Sequence, residues 1–157
     1  MDKDKTNVMR ILDQAGVDYK HYAFACEGAP SGVEVAALLG LDEGKVFKTL
    51  VTKGKSGEHY VFMIPVAEEL NLKKAASAVG EKSIEMIKAK ELLPLTGYVH
   101  GGCSPIGMKK PFKTSIDETC ILYDTIVFSA GKIGRQVELN PEALGTIIDL
   151  NICDLTE

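Results

Sequence analysis

Val8, Ile11, Leu12 and Ala15 recur at the helical period behind Thr6 and ahead of Gly16. That spacing predicts a first amphipathic helix with a hydroxyl cap and a left-handed stop. Val17 to Phe24 alternates partly and carries aromatics, which predicts a strand, and Glu27-Gly28-Ala29-Pro30 reads as a loop. Ser31 and Glu34 have the spacing of a reciprocal capping box, opening a short helix that Gly40 ends. Val46–Thr52 and Tyr60–Ile64 are apolar, β-branched and aromatic around a polar turn at 53–58, the pattern of a hairpin. Residues 67–79 predict a helix ending at Gly80, and 88–93 a shorter one before Pro94. Short β-type segments follow at Tyr98–Val99, Lys113–Ile116, Ile121–Phe128 and Gln136–Leu139. Asn140-Pro141-Glu142 then opens a last helix to about Ile148. With no regular βαβ repeat, the class is α+β with a mixed sheet or partly closed barrel.

Composition narrows the function. A chain of 157 residues with 45% hydrophobic content suits one domain, taken as residues 1–157. A net charge of −4 argues against broad coating of nucleic acid, which needs a strongly basic surface. Cys26, Cys103, Cys120 and Cys153 have neither metal-site spacing nor a dense disulfide pattern, and read as free thiols in a reducing compartment. The start, Met-Asp-Lys-Asp-Lys, lacks a signal peptide's apolar core, and no uninterrupted apolar run is long enough to span a bilayer. A soluble cytoplasmic protein is expected.

Three places depart from ordinary patterning. Lys48 interrupts Val46-Phe47-Lys48-Thr49-Leu50-Val51, whose two strand faces are otherwise mostly apolar. It is either an edge-strand lysine that discourages aggregation or an ammonium at a pocket mouth that holds an anion or a developing oxyanion. His100 to Lys110 contains Gly101, Gly102, Ser104, Pro105 and Gly107 in a tight loop, either a structural turn or a stretch of exposed backbone amides. It matches no nucleophile elbow, Walker A loop or dinucleotide fingerprint. Gly131-Lys132-Ile133-Gly134-Arg135 is a third cluster, and if it faces the previous loop its cations add to those of Lys109, Lys110 and Lys113. His21, His59 and His100 have no metal-ligand spacing, and neither Cys103 nor Ser104 has a visible base. No metal or cofactor is expected.

Four segments together, Phe47-Lys48-Thr49-Leu50, Leu70-Asn71-Leu72-Lys73-Lys74-Ala75-Ala76, Gly97-Tyr98 with Gly101–Gly107, and Gly131-Lys132-Ile133-Gly134, resemble the YbaK/EbsC family. Its members include free-standing Cys-tRNA(Pro) deacylases and the inserted editing domain of bacterial prolyl-tRNA synthetases. The resemblance runs from about Lys5 to Leu155 and is nearest to the free-standing branch. It implies an α+β fold around a mixed, barrel-like sheet with surrounding helices, and removal of a wrongly attached amino acid from tRNA. It places the catalytic role on Lys48, and the substrate-binding set on Phe24, Thr49, Gly101, Gly102, Ser104, Pro105, Gly107, Gly131 and Arg135. Where family members carry a tyrosine at the end of the first strand, this chain has Phe24. The implied partners are an aminoacylated tRNA 3′ end and prolyl-tRNA synthetase, with neither membrane nor DNA. An aminoacyl ester is already activated, so positioning and oxyanion stabilisation suffice without a triad or metal. Two other readings stay open: a small ester such as alanyl as the substrate, or a module that binds a nucleotide or tRNA end without catalysis.

Overall fold

A computed structural model describes residues 5–157, so the Met1–Asp4 part of the chain start lies outside the described residues. Helix α1 is Asn7–Gln14, with the Thr6 hydroxyl accepting from the Met9 amide and Val8, Met9 and Leu12 buried. Strand β1 (Lys20–Ala23) is shorter than the aromatic run suggests. Helix α2 (Gly32–Leu39) opens on the expected capping box, Glu34 N–H to Ser31 Oγ at 3.2 Å and Ser31 N–H to Glu34 Oε1 at 3.1 Å.

Strands β2 (Phe47–Gly54) and β3 (His59–Pro65) form the predicted hairpin. Helix α3 is only Leu72–Val79, because the Asn71 side chain accepts from the Lys73 and Lys74 amides and sets the start there, five residues after Ala67. A strand not foreseen, β4 (Ile84–Met86), precedes α4 (Ala89–Thr96), which carries Pro94 inside it and stops at Gly97. Tyr98–Val99 is loop. Strand β5 (Thr114–Asp117) leads to a 3₁₀ turn, Glu118–Leu122, and only then to β6 (Ile126–Ser129). Ile121 and Leu122, read as strand residues, are 70% and 75% exposed on that turn. After β7 (Arg135–Leu139), helix α5 is a single turn, Pro141–Leu144, and β8 (Leu150–Cys153) closes the order.

The strands form two sheets, ordered β1-β7-β6 and β4-β2-β3-β5-β8. The second is mixed: β5 runs parallel to both β3 and β8 while the other pairs are antiparallel. Among the described residues neither sheet closes on itself, so the α+β class and mixed pairing hold while the barrel-like closure does not. An isolated parallel bridge between Val46 and Val127 joins the two sheets. Strand β3 is buried from Tyr60 to Pro65 because both faces are covered. On one side Phe62 and Ile64 meet Ala75 and Ala76 of α3, and on the other Met63 joins Phe47, Ile116, Phe128 and Leu12.

Glu138 on β7 ties the sheets a second time. Only 6% exposed, it takes the Lys45 ammonium at 2.7 Å and the hydroxyls of Tyr22 and Thr125. Burial pushes its carboxyl up, but those three donors outweigh burial and hold it at about 2, against an ordinary 4.5. Its folded value lies below its unfolded one, so this stabilisation is full above pH 4.5 and is lost as pH falls toward 2. Chemical-denaturation midpoints taken down this acid range should fall more steeply for the wild type than for Glu138→Gln. Parallel profiles would refute the role.

Candidate functional site

The pairing of β2 creates the site. Strand β4 covers only Thr52–Gly54, leaving the first half of β2 with an open edge. The bonds Gly54 N–H to Glu58 O (2.8 Å) and Val66 N–H to Val46 O (2.9 Å) fix which residues face β3. In that register Lys48 and Leu50 exchange backbone bonds with β3, while the amide and carbonyl of Thr49 point outward. A cleft of about 380 Å³ lies along this edge. Lys48, Thr49 and Leu50 form one wall, the start of α2 from Pro30 to Val33 another, and His100, Gly101 and Cys103 a third. Ser129 and Gln136, at facing ends of β6 and β7, complete it.

Lys48 is half-buried, and no carboxylate pairs with it among the described residues. An ammonium left without a counter-charge at a cleft is a ready site for an anion or a developing oxyanion. Beside it, the Thr49 Oγ1 is buried with no hydrogen-bond partner in the protein. A buried hydroxyl usually has a partner, so this one marks an unmet hydrogen bond next to the cleft.

The two glycine clusters abut, as the basic-loop alternative required. A Cβ on Gly102 would lie 3.1 Å from Ile133 N and 3.3 Å from Lys132 Cα, so a side chain here would press on that backbone and push it back by a few tenths of an ångström. Gly101, at φ +87°, would place a Cβ 2.7 Å from Ala29 Cβ. Gly102 therefore holds Gly101 in the cleft wall from one residue behind.

The other anticipated binding residues lie elsewhere. Ser104 is 0% exposed, and its Oγ accepts from the Ile106 amide at 3.4 Å inside the loop. Pro105 and Gly107 line a second cavity with Ile11, Phe112 and Ile147. Gly131 backs onto Tyr98 and Val8, and Arg135 pairs with Ala23 at the start of β7. Phe24 bonds through its amide to Gly134 O at 3.0 Å, behind the turn. A phenol does stand on this strand, but it is Tyr22, committed to Glu138.

Sequence reasoning missed Ser129, Gln136 and the rim from α2, and it placed neither His100 nor Cys103 in a pocket. Burial pushes the Cys103 thiol up to about 12, so it is neutral near pH 7 and a poor nucleophile. No three His, Cys, Asp or Glu residues group as metal ligands among the described residues. What converges on the cleft is one unpaired ammonium, one hydroxyl without a protein partner, an open strand edge and glycine backbone, groups whose chemistry is that of hydrogen-bonding and charge-pairing with a carbonyl or an anion.

The fold and this cleft define a small α+β protein with an unpaired cation at the mouth of an open-edged cleft. Residues 26–147 match the model of the aminoacyl-tRNA editing domain. EbsC of Enterococcus faecalis, proposed to be a Cys-tRNA(Pro)/Cys-tRNA(Cys) deacylase, is 46% identical over 155 residues, spanning 98% of this chain and 94% of that protein. ProXp-y of Escherichia coli K12, a multifunctional Ser/Thr-tRNA deacylase, is 25% identical across 84% of this chain and 80% of its own. A solved protein proposed to be a trans-editing enzyme for prolyl-tRNA synthetase superposes with a TM-score of 0.85 at 25% identity, covering 100% of this chain and 99% of that one. The chain belongs to the aminoacyl-tRNA editing domain family. No helix among the described residues is long and apolar enough to cross a membrane.

Replacing Gly102 with Ala should force the two loops apart, at a cost of about 1–3 kcal/mol for overpacking. Thermal melts are expected to show a Tm lower by several degrees. An unchanged Tm would mean that the loops are not held in register by this contact.

Proposed function

We propose that this protein is a trans-editing deacylase that removes cysteine wrongly attached to tRNA(Pro), and cysteine from tRNA(Cys), by cleaving the aminoacyl ester. The observation that carries the reading is the unpaired Lys48 ammonium at the mouth of a cleft that also presents the Thr49 edge and the glycine loop. Its neighbourhood offers no nucleophile paired with a base, so the chemistry that fits is the substrate's own. In a cysteinyl ester the substrate sulfur attacks its own carbonyl carbon. A carbon–sulfur bond forms, the ester carbon–oxygen bond breaks, and the thiol proton passes to the departing ribose oxygen. The four-membered thiolactone so released is hydrolysed by water.

Lys48 holds the ester end and the negative charge that develops on its carbonyl oxygen. Thr49 and the Gly101 backbone fix the aminoacyl group in the attack geometry. Prolyl-tRNA synthetase is the enzyme whose mischarging this activity would correct, in the cytoplasm where tRNA is charged, with residues 1–157 acting as one editing unit.

Deacylation of Cys-, Ala-, Ser- and Pro-tRNA(Pro) tests the reading. The cysteinyl ester should be cleaved at least about tenfold faster than the seryl ester, the effect of roughly 1.4 kcal/mol in barrier height. Equal rates on the seryl ester would refute the thiol route, and fastest cleavage of the alanyl ester would reassign the substrate. Lys48→Ala is expected to lower kcat by about 100-fold or more, as loss of an oxyanion donor does, with an unchanged melting curve. Undiminished turnover would remove Lys48 from the mechanism, and no cleavage of any ester would leave a binding module.

A further inference from the structure

Charge in this chain is sorted by segment. Residues 92–116 and 125–137 contain no Asp or Glu, yet carry Lys109, Lys110, Lys113, Lys132 and Arg135. The rest of the chain holds all 22 acids against 13 Lys and Arg. The fold brings the two acid-free stretches together at the cleft, where Gly102 meets the backbone of Lys132 and Ile133.

The loop 97–102 is the hinge of this arrangement. At one end the stem of Lys109 lies 3.4 Å from the Cβ position of Gly97, and its Nζ donates to Pro94 O at 3.4 Å. At the other end Lys132 adjoins Gly102, and between them His100 and Gly101 open into the cleft. Both lysines are exposed. Lys110 and Lys113 face the second cavity instead, which they share with Asp149. On the facing wall the acids nearest in sequence are Glu34, directly after Val33 and bonded to the Ser31 amide at 3.1 Å, and Glu27, two residues before the Ala29 that a Cβ on Gly101 would meet.

We propose that Lys109 and Lys132, at the two ends of the loop that forms one wall of the cleft, hold the phosphodiester backbone that leads to the terminal nucleoside of the tRNA. This rests on the deacylase reading and adds where the rest of the tRNA lies. A chain of net charge −4 repels a polyanion except where its acids are absent, so the uncovered rim orients the 3′ strand as well as attracting it. The phosphate contacts position the strand, and the cleft reads the aminoacyl end.

The test measures kcat/KM on cysteinyl-tRNA(Pro) and on 3′-cysteinyl-adenosine, which lacks the backbone, over a series of KCl concentrations. Lys109→Ala/Lys132→Ala should lower the ratio of tRNA to adenosine-ester kcat/KM about tenfold, through KM. It should also flatten the log–log salt dependence on tRNA by about 1.4, at roughly 0.7 per single-strand phosphate. Lys55→Ala, on the β2–β3 turn away from the cleft, should change neither. An unchanged ratio, an equal loss on both substrates, or an equal effect of Lys55→Ala would overturn the proposal. If the wild type cleaves neither ester, the deacylase reading alone falls. Fluorescence anisotropy with uncharged tRNA then decides the surface: a tenfold weaker Kd in the double variant supports it, and an unchanged Kd overturns it.

Discussion

Glu138 holds the two sheets together with the Val46–Val127 bridge and the apolar core they share. Its carboxylate gathers Lys45 from the entry to β2, Tyr22 from β1 and Thr125 from just before β6, so one buried charge ties both sheets beside the cleft. A buried carboxylate with three donors is tolerated, whereas removing a donor leaves charge uncompensated in a poorly solvated place. The Val46–Val127 bridge lies one residue beyond Lys45, and Lys48 follows two residues later. The candidate ammonium thus sits on a strand whose entry is held by this ion pair and whose register is set by β3.

The second constraint is the shortness of β4. A longer β4 would pair the Thr49 amide and carbonyl and turn the cleft into ordinary sheet. Because it stops opposite Thr52, β2 keeps an open edge where α2 and the 100–103 loop form walls around it. Open edges ordinarily invite pairing with other chains. Here α2 and the loop flank the edge on both sides, so a small group can enter while a strand meets the walls.

The elements that were legible are those whose signal is local. The capping box of α2, the Thr6 cap and the hairpin around 53–58 need only residues within a turn of each other, and all are present. Strands β4 and β8 were missed because they are short and half-exposed, and what makes them strands is pairing with β2 and β5. Ile121 and Leu122 misled for the opposite reason: they are apolar, yet the Asp117 side chain accepts from the Thr119 amide and hydroxyl and turns the chain into a 3₁₀ segment. In the site, Lys48 was visible because a charge inside an apolar run is locally anomalous. Ser129 and Gln136 were not, because they reach the cleft through pairing of β6 with β7 and the junction of the sheets.

The absence of a strong nucleophile shapes what the proposed site can discriminate. A site that supplied its own nucleophile would attack any ester that fitted, and selectivity would have to come from pocket size, where a methylene is worth only about 1–3 kcal/mol. Cys103, the thiol in the cleft wall, is held neutral by burial and does not supply that attack. A cleft that only positions makes the side chain of the substrate a reactant, so an amino acid without a suitable nucleophile binds without being cleaved. Discrimination is then by reactivity and not by volume.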